Sequence, residues 1–131
     1  MSNEFSGTGN AGGDPFLRQV TVGTKQHTIA VLRVFFPDYS PAANGSFEQT
    51  GGFWLDVNVW GEHRATEVRR HVKKGARVHV SGRLSETKWT VTATGEERRA
   101  LYLDADKLFL GLSRVAQVDY KPRRPDLRSQ T

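Results

Sequence analysis

Three tryptophans carry the most specific chemistry in this sequence. Side chains in a strand alternate between two faces. In the run from Phe53 to Trp60 this puts Phe53, Leu55, Val57 and Val59 on one side and Trp54, Asp56, Asn58 and Trp60 on the other. A core does not need indoles beside Asp and Asn; a stacking surface does. Trp89 follows Lys88 at the root of a later hairpin, and Arg83 falls on the polar face between these aromatics. Single-stranded nucleic acid offers unstacked bases and a charged backbone. Proteins hold it by stacking bases on aromatic rings, each worth about 1–3 kcal/mol, and by tracking phosphates with Lys and Arg. The competing account makes the same tryptophans core anchors or an oligomer contact. Arg33 shares a strand face with Ile29, Val31 and Phe35, and fits either a phosphate contact or a partly exposed strand.

Other chemistry has little support. His27, His63, His71 and His79 lack H-E-x-x-H or H-x-x-x-H spacing. Asp104 and Asp106 could hold a hard cation, but alternating polar positions explain them equally well. There is no cysteine, and no serine sits in G-x-S-x-G. Gly7 to Gly12 matches G-x-G-x-x-G, yet only a few residues precede it and Gly13-Asp14-Pro15 follows where a helix would be needed. The expectation is a binding protein without catalysis, metal or cofactor.

The elements that must position these residues are short strands. Phe16–Val22, His27–Phe36 and Phe53–Trp60 read as the first three, with residues 1–15 as a flexible start and turn. Asp38 to Gly52, with Pro41, Asn44-Gly45 and Gly51-Gly52, reads as a long hairpin loop carrying Tyr39 and Phe47. Ala65, Val68 and Val72 recur at helical spacing, predicting a helix over 63–74 with Gly75 at its C-cap. Arg69, Arg70, Lys73 and Lys74 crowd its last turns, which suits the helix dipole and a solvated face. Arg77 to Leu84 alternates again, with Val78, Val80 and Leu84 inward. A final hairpin, 86–92 with 98–106, turns at Thr94-Gly95-Glu96, with Leu101, Leu103 and Ala105 inward. This order predicts an all-β fold: a five-stranded OB-fold Greek-key barrel with one helix between strands 3 and 4.

At 131 residues, 37% apolar and 25% charged, the chain suits one soluble domain. That domain is expected over residues 1–112, followed by a basic, disordered tail over 113–131. No apolar run approaches the ~20 residues that span a membrane, and Met1-Ser2-Asn3-Glu4-Phe5 does not read as a signal peptide. The expected location is the cytoplasm. From Arg114 onward, five basic residues face two acidic ones, so the tail holds +3 of the net charge of +5 and residues 1–113 only +2. Bulk charge is therefore a weak argument for an anionic partner, and placement has to carry it.

With these residues in view, the sequence resembles the bacterial single-stranded DNA-binding protein family. The likeness rests on Trp54 through Trp60-Gly61, on Lys73-Lys74-Gly75-Ala76-Arg77-Val78-His79-Val80-Ser81-Gly82-Arg83-Leu84, and on Lys88-Trp89. Gly95-Glu96 and the arm to Leu108 add to it, as do Gly9-Asn10-Ala11, Gly13-Asp14-Pro15 and Arg18 near the start. The resemblance covers about residues 5–112. It implies that Trp54 and Trp89 stack bases, that Trp60 stands where phenylalanine is usual, and that Lys74 and Lys88 lie along the DNA path. The family's third tryptophan has no counterpart, and Tyr39 lies nearest. The resemblance further implies a homotetramer, or a dimer, that coats single-stranded DNA in the bacterial nucleoid during replication, recombination or repair. The chain ends Arg128-Ser129-Gln130-Thr131 and not in an acidic, phenylalanine-tipped tail. Recruitment of replication proteins through such a tip is therefore not expected, and a mobile-element role is an option. The alternatives are a primosome-type OB accessory acting through protein contacts, and an RNA-binding OB domain of the cold-shock kind, whose short aromatic strand motifs are absent.

Overall fold

The structure, a computed structural model, describes residues 3–122. Six strands and one helix follow in the order β1 (Glu4–Ala11), β2 (Phe16–Val22), β3 (Lys25–Pro41), β4 (Phe47–Trp60), α1 (Glu62–His71), β5 (Arg77–Thr90) and β6 (Glu97–Leu110). They form one sheet in the order β1-β5-β6-β4-β3-β2, and an extra β1–β3 pairing closes the ring. β2 pairs along its length with β3 as a hairpin. The barrel ring is thus made by β1, β3, β4, β5 and β6, which is the OB plan. No described helix is long and apolar enough to cross a membrane.

The expected flexible start is corrected. Glu4–Asn10 pairs antiparallel with Arg83–Arg77, and Asn10–Ala11 with Phe35–Val34. The glycines that suggested a loose segment serve close approach instead. A Cβ on Gly9 would stand 2.5 Å from the Phe35 carbonyl oxygen and 2.8 Å from Val34 Cγ1. The long loop shortens in the same way. β3 and β4 pair out to Pro41↔Phe47, leaving a tight connection in which the Asn44 side chain accepts from the Ser46 amide.

The core follows the alternation. Ala30, Leu32, Val34 and Phe36 of β3, Leu55, Val57 and Val59 of β4, Val78 and Val80 of β5, and Leu103 and Ala105 of β6 are buried. Each fully buried Val, Leu or Ile side chain is worth roughly 1.5–3 kcal/mol over its exposed state. Phe53 and Leu101 depart from the expected inward set, at 41% and 45% exposed. Both lie where a hairpin runs past the barrel, and Phe53 stacks on Phe36 at 5.3 Å. The helix plugs one end with Ala65, Val68 and the capping Val72. It stops at His71, short of the expected residue 74. Gly75 (φ +87°) serves the turn into β5, where its amide donates to the Ala11 carbonyl at 2.8 Å.

β5 and β6 shift register between Ser81 and Gly82, where β6 holds an extra residue, Asp106. A Cβ on Gly82 would lie 2.1 Å from the Asp104 carbonyl oxygen and 2.8 Å from Ala105 Cα, both backbone atoms that cannot swing aside. Gly82→Ala is expected to destabilise the fold by about 1–3 kcal/mol through overpacking. Urea denaturation checks it, and an unchanged midpoint would mean that the bulge opens without cost.

Candidate nucleic-acid interface

Strand register brings the outward side chains into rows across the barrel. Arg77, Asn10, Phe35 and Trp54 form one row over β5, β1, β3 and β4. Arg33, Asp56, Tyr102 and Ser85 form the next, over β3, β4, β6 and β5. Phe16, Val31, Asn58, Asp104 and Arg83 form a third, and Arg18 and Trp60, either side of the buried Ile29, a fourth. Between them runs an open groove of about 410 Å³, lined in part by Arg18, Asp56, Asn58, Trp60, Tyr102 and Asp104.

Trp54 stands at one end of this surface, 46% exposed. Its ring packs 5.0 Å from Phe35, with the Arg33 guanidinium carbon 5.2 Å from its centroid. The turn after β1 supports its underside. The Gly12 amide donates to the Arg33 carbonyl at 2.8 Å, and a Cβ on Gly12 would meet Trp54 Cζ3 at 2.4 Å. A side chain at position 12 would push the indole out of this position. Arg33 also reaches Asp56 Oδ1 at 3.3 Å. Both partners are exposed, so this pair is worth about 0–1 kcal/mol and its guanidinium remains open to other anions.

Trp60, half-buried, forms the other end. Its Nε1–H donates to Asp104 Oδ1 at 2.9 Å, and His27 meets its ring edge-on at 5.5 Å. Tyr102 lies in the groove between the tryptophans, beside Asp56. Trp89 is 47% exposed on the projecting part of β5, paired with Arg98. It shares a strand face with Thr87, which lines the groove, so Trp89 extends the wall outward.

The remaining expected residues divide. Arg83 is exposed on the same outward face, opposite Asp104. Lys88, one residue from Trp89, points to the opposite face of the hairpin, 4.0 Å from Glu86, which Arg99 also approaches at 3.8 Å. Lys74 sits at the corner after the helix, its amide donating to Asp14 Oδ1 at 2.8 Å, two residues beyond the glycine under Trp54. Tyr39 lies apart on the β3–β4 hairpin, beside a shallow concavity shared with Phe47, Asn10, Arg77 and Arg114.

Tyr102, Phe35, Arg18 and Arg77 belong to this surface and were missed as site residues from sequence. Alternation in their strands already placed Tyr102 and Arg77 outward; what it could not supply was which strands become neighbours. Asp104 and Asp106 do not form the cation pair considered above. The extra residue at 106 separates them, and Asp104 is engaged by Trp60. Glu67 lies away from the groove on the helix. Desolvation tends to raise its carboxyl, but Lys121, Arg70 and a hydrogen bond with His71 hold it below the ordinary range.

A closed barrel carrying an aromatic groove on one face defines an OB-fold module. The family model for the single-strand binding protein family matches residues 2–110. The chain belongs to that family. A single-stranded DNA-binding protein of Rhizobium meliloti (strain 1021) is 32% identical over 90 residues, which is 69% of this chain and 49% of that protein. The chain thus spans about half the length of the curated relative it matches. Among solved structures, a small single-stranded DNA-binding protein from Streptomyces coelicolor superposes with a TM-score of 0.72 at 18% identity, covering 87% of this chain and 98% of that one. A Plasmodium falciparum SSB, in complex with single-stranded DNA, gives 0.58 at 18% identity, covering 84% and 93%. At such identities the two structures speak for the fold.

Trp60→Phe keeps a six-membered aromatic ring and removes the indole N–H that bonds to Asp104. It is expected to cost about 1 kcal/mol, because a hydrogen bond to a charged group is lost in a half-exposed place. Thermal and urea melts check this, and equal stability would show that the bond contributes nothing net.

Proposed function

We propose that this protein binds and coats single-stranded DNA without sequence specificity. The observation that carries the reading is the outward aromatic groove. Trp54 is held against Phe35 and Gly12, Trp60 is fixed by Asp104, Tyr102 lies between them, and Trp89 extends the wall. Base faces stack on such rings whatever the base, which gives affinity without sequence readout. Arg33, Arg83 and Lys74 lie along or beside this path and supply phosphate contacts; Lys88, on the far side of the hairpin, serves a strand that wraps around it. Tyr39, with Arg77, extends the surface past Trp54.

Membership in the family supports roles in replication, recombination or repair in the bacterial cytoplasm. It also supports assembly as a homotetramer. Among the described residues, residues 4–9 of β1 pair only with β5, which leaves their other edge for a second copy. The ends of the basic tail, including Arg123, Arg124 and Arg128, lie outside the described residues, and recruitment of other proteins through the tail is not proposed.

Titration with oligo(dT) should quench tryptophan fluorescence. Trp54→Ala and Trp89→Ala should each weaken binding by about 5- to 150-fold, corresponding to one lost stacking contact of roughly 1–3 kcal/mol. With about four phosphate contacts, log K should fall against log salt with a slope of roughly −3. No quenching at low salt would sink the proposal and favour an accessory that works through protein contacts. Tighter binding to RNA than to DNA of equal length would point to an RNA-binding role. Mass measurement in solution tests the tetramer.

A further inference from the structure

The groove contains two carboxylates where a surface made only for an anionic polymer would have none. Asp56 and Asp104 both line it, on neighbouring rows of adjacent strands, with Tyr102 and Asn58 beside them. Each has one partner. Asp104 gives one oxygen to the Trp60 indole at 2.9 Å, and Asp56 gives one to Arg33 at 3.3 Å. An ionised carboxylate offers about four acceptor sites and no donor, so each keeps acceptor capacity toward the groove.

We infer that Asp56 and Asp104 bias this groove toward bases carrying an exocyclic amino group, above all cytosine, and against thymine. The inference rests on reading the groove as the single-stranded DNA site. Two negative charges on the floor repel phosphate, so a bound strand lies with its bases inward and its backbone toward Arg18, Arg33 and Arg83 at the margins. A base stacked on Trp60 or Tyr102 then turns its hydrogen-bonding edge to an acceptor. Cytosine presents its N4 amino group, the donor that Asp and Glu side chains take in base recognition. Thymine presents two carbonyl oxygens flanking a single N–H, and those oxygens face the carboxylate charge. The Tyr102 and Thr87 hydroxyls both donate and accept, and so do not discriminate. The tryptophans provide binding to any base; the carboxylates grade it.

The test compares oligo(dC) and oligo(dT) of equal length, by fluorescence titration of the full chain and of Asp104→Asn, Asp56→Asn and the double variant. An Asn at 104 can still accept from Trp60, and Asp56 is exposed, so at least one variant should fold; thermal melts verify it. The dC-to-dT affinity ratio should fall by roughly three- to tenfold in the double variant, since a charge-assisted bond is exchanged for a neutral one that thymine can also satisfy. Oligo(N4,N4-dimethyl-dC), which lacks the amino hydrogens, should lose the wild-type advantage. If every variant binds both oligonucleotides with the wild-type ratio, the inference is overturned while the proposed function stands. If the wild-type protein binds neither, both fall.

Discussion

The structure depends on a short seam. A barrel is only as continuous as its shortest pairings, and here β4 and β6 meet in parallel over three residue pairs, Asp56↔Tyr102, Val57↔Leu103 and Asn58↔Asp104. Beyond Asp104 the extra residue at 106 bends β6 away. Side chains hold the strands together there. The Arg64 guanidinium, at the start of the helix, donates to the Ala105 and Asp106 carbonyls at 3.2 and 2.6 Å, and Trp60 donates to Asp104. Inside the seam, Val57 and Leu103 join the core. Outside it, Asp56, Tyr102, Asn58 and Asp104 become the floor of the groove. The contact that joins β4 to β6 therefore also builds the floor of the candidate surface.

This explains what was legible in the sequence. Alternation in Phe53–Trp60 shows which side chains turn outward, because a one-residue slip would bury both tryptophans and expose Leu55, Val57 and Val59. That much is local. The seam is not: nothing in the period of either strand says that residue 56 lies beside residue 102, so Tyr102 reads only as an outward tyrosine. Glycine misled in a different way. In Glu4–Ala11 it suggests freedom, yet Gly9 and Gly12 are small because Phe35 and Trp54 stand against them. Composition does not separate a glycine that bends from one that makes room. The Lys88 side chain was also beyond reach. Adjacent positions on a strand face opposite ways, so a lysine beside a stacking tryptophan in sequence lies behind it in space.

Charge and stacking divide the work. The first 113 residues hold a net charge of only +2, and Asp56 and Asp104 place negative charge in the groove itself. Exposed pairs such as Arg33–Asp56 contribute little to stability, so this arrangement is not needed to hold the fold. In the proposed binding mode it would keep Arg33 and Arg83 at the margins and leave the floor to base edges and aromatic faces. A polyanion drawn by bulk charge alone would settle wherever basic residues cluster, including the corner of His71, Lys73 and Arg114. The aromatic floor distinguishes one face from that corner.

The three tryptophans are not equivalent. Trp54 and Trp60 stand on strands whose inward neighbours Leu55, Val57 and Val59 are fully buried, and each ring is fixed by a partner, Phe35 with Gly12 or Asp104. Little freedom remains for a ligand to remove, so in the proposed binding mode a base stacked on either ring would return most of its stacking energy as affinity. Trp89 stands on the projecting hairpin, where the ion pairs Lys88–Glu86, Arg98–Glu96 and Arg99–Glu97 are exposed. Such a segment has few buried contacts to resist local opening. A base stacking there must also order the arm that carries it. On the proposed function, the rigid pair would set where a strand lies on the barrel, and the hairpin tryptophan would gain most for strands long enough to be held already by the groove.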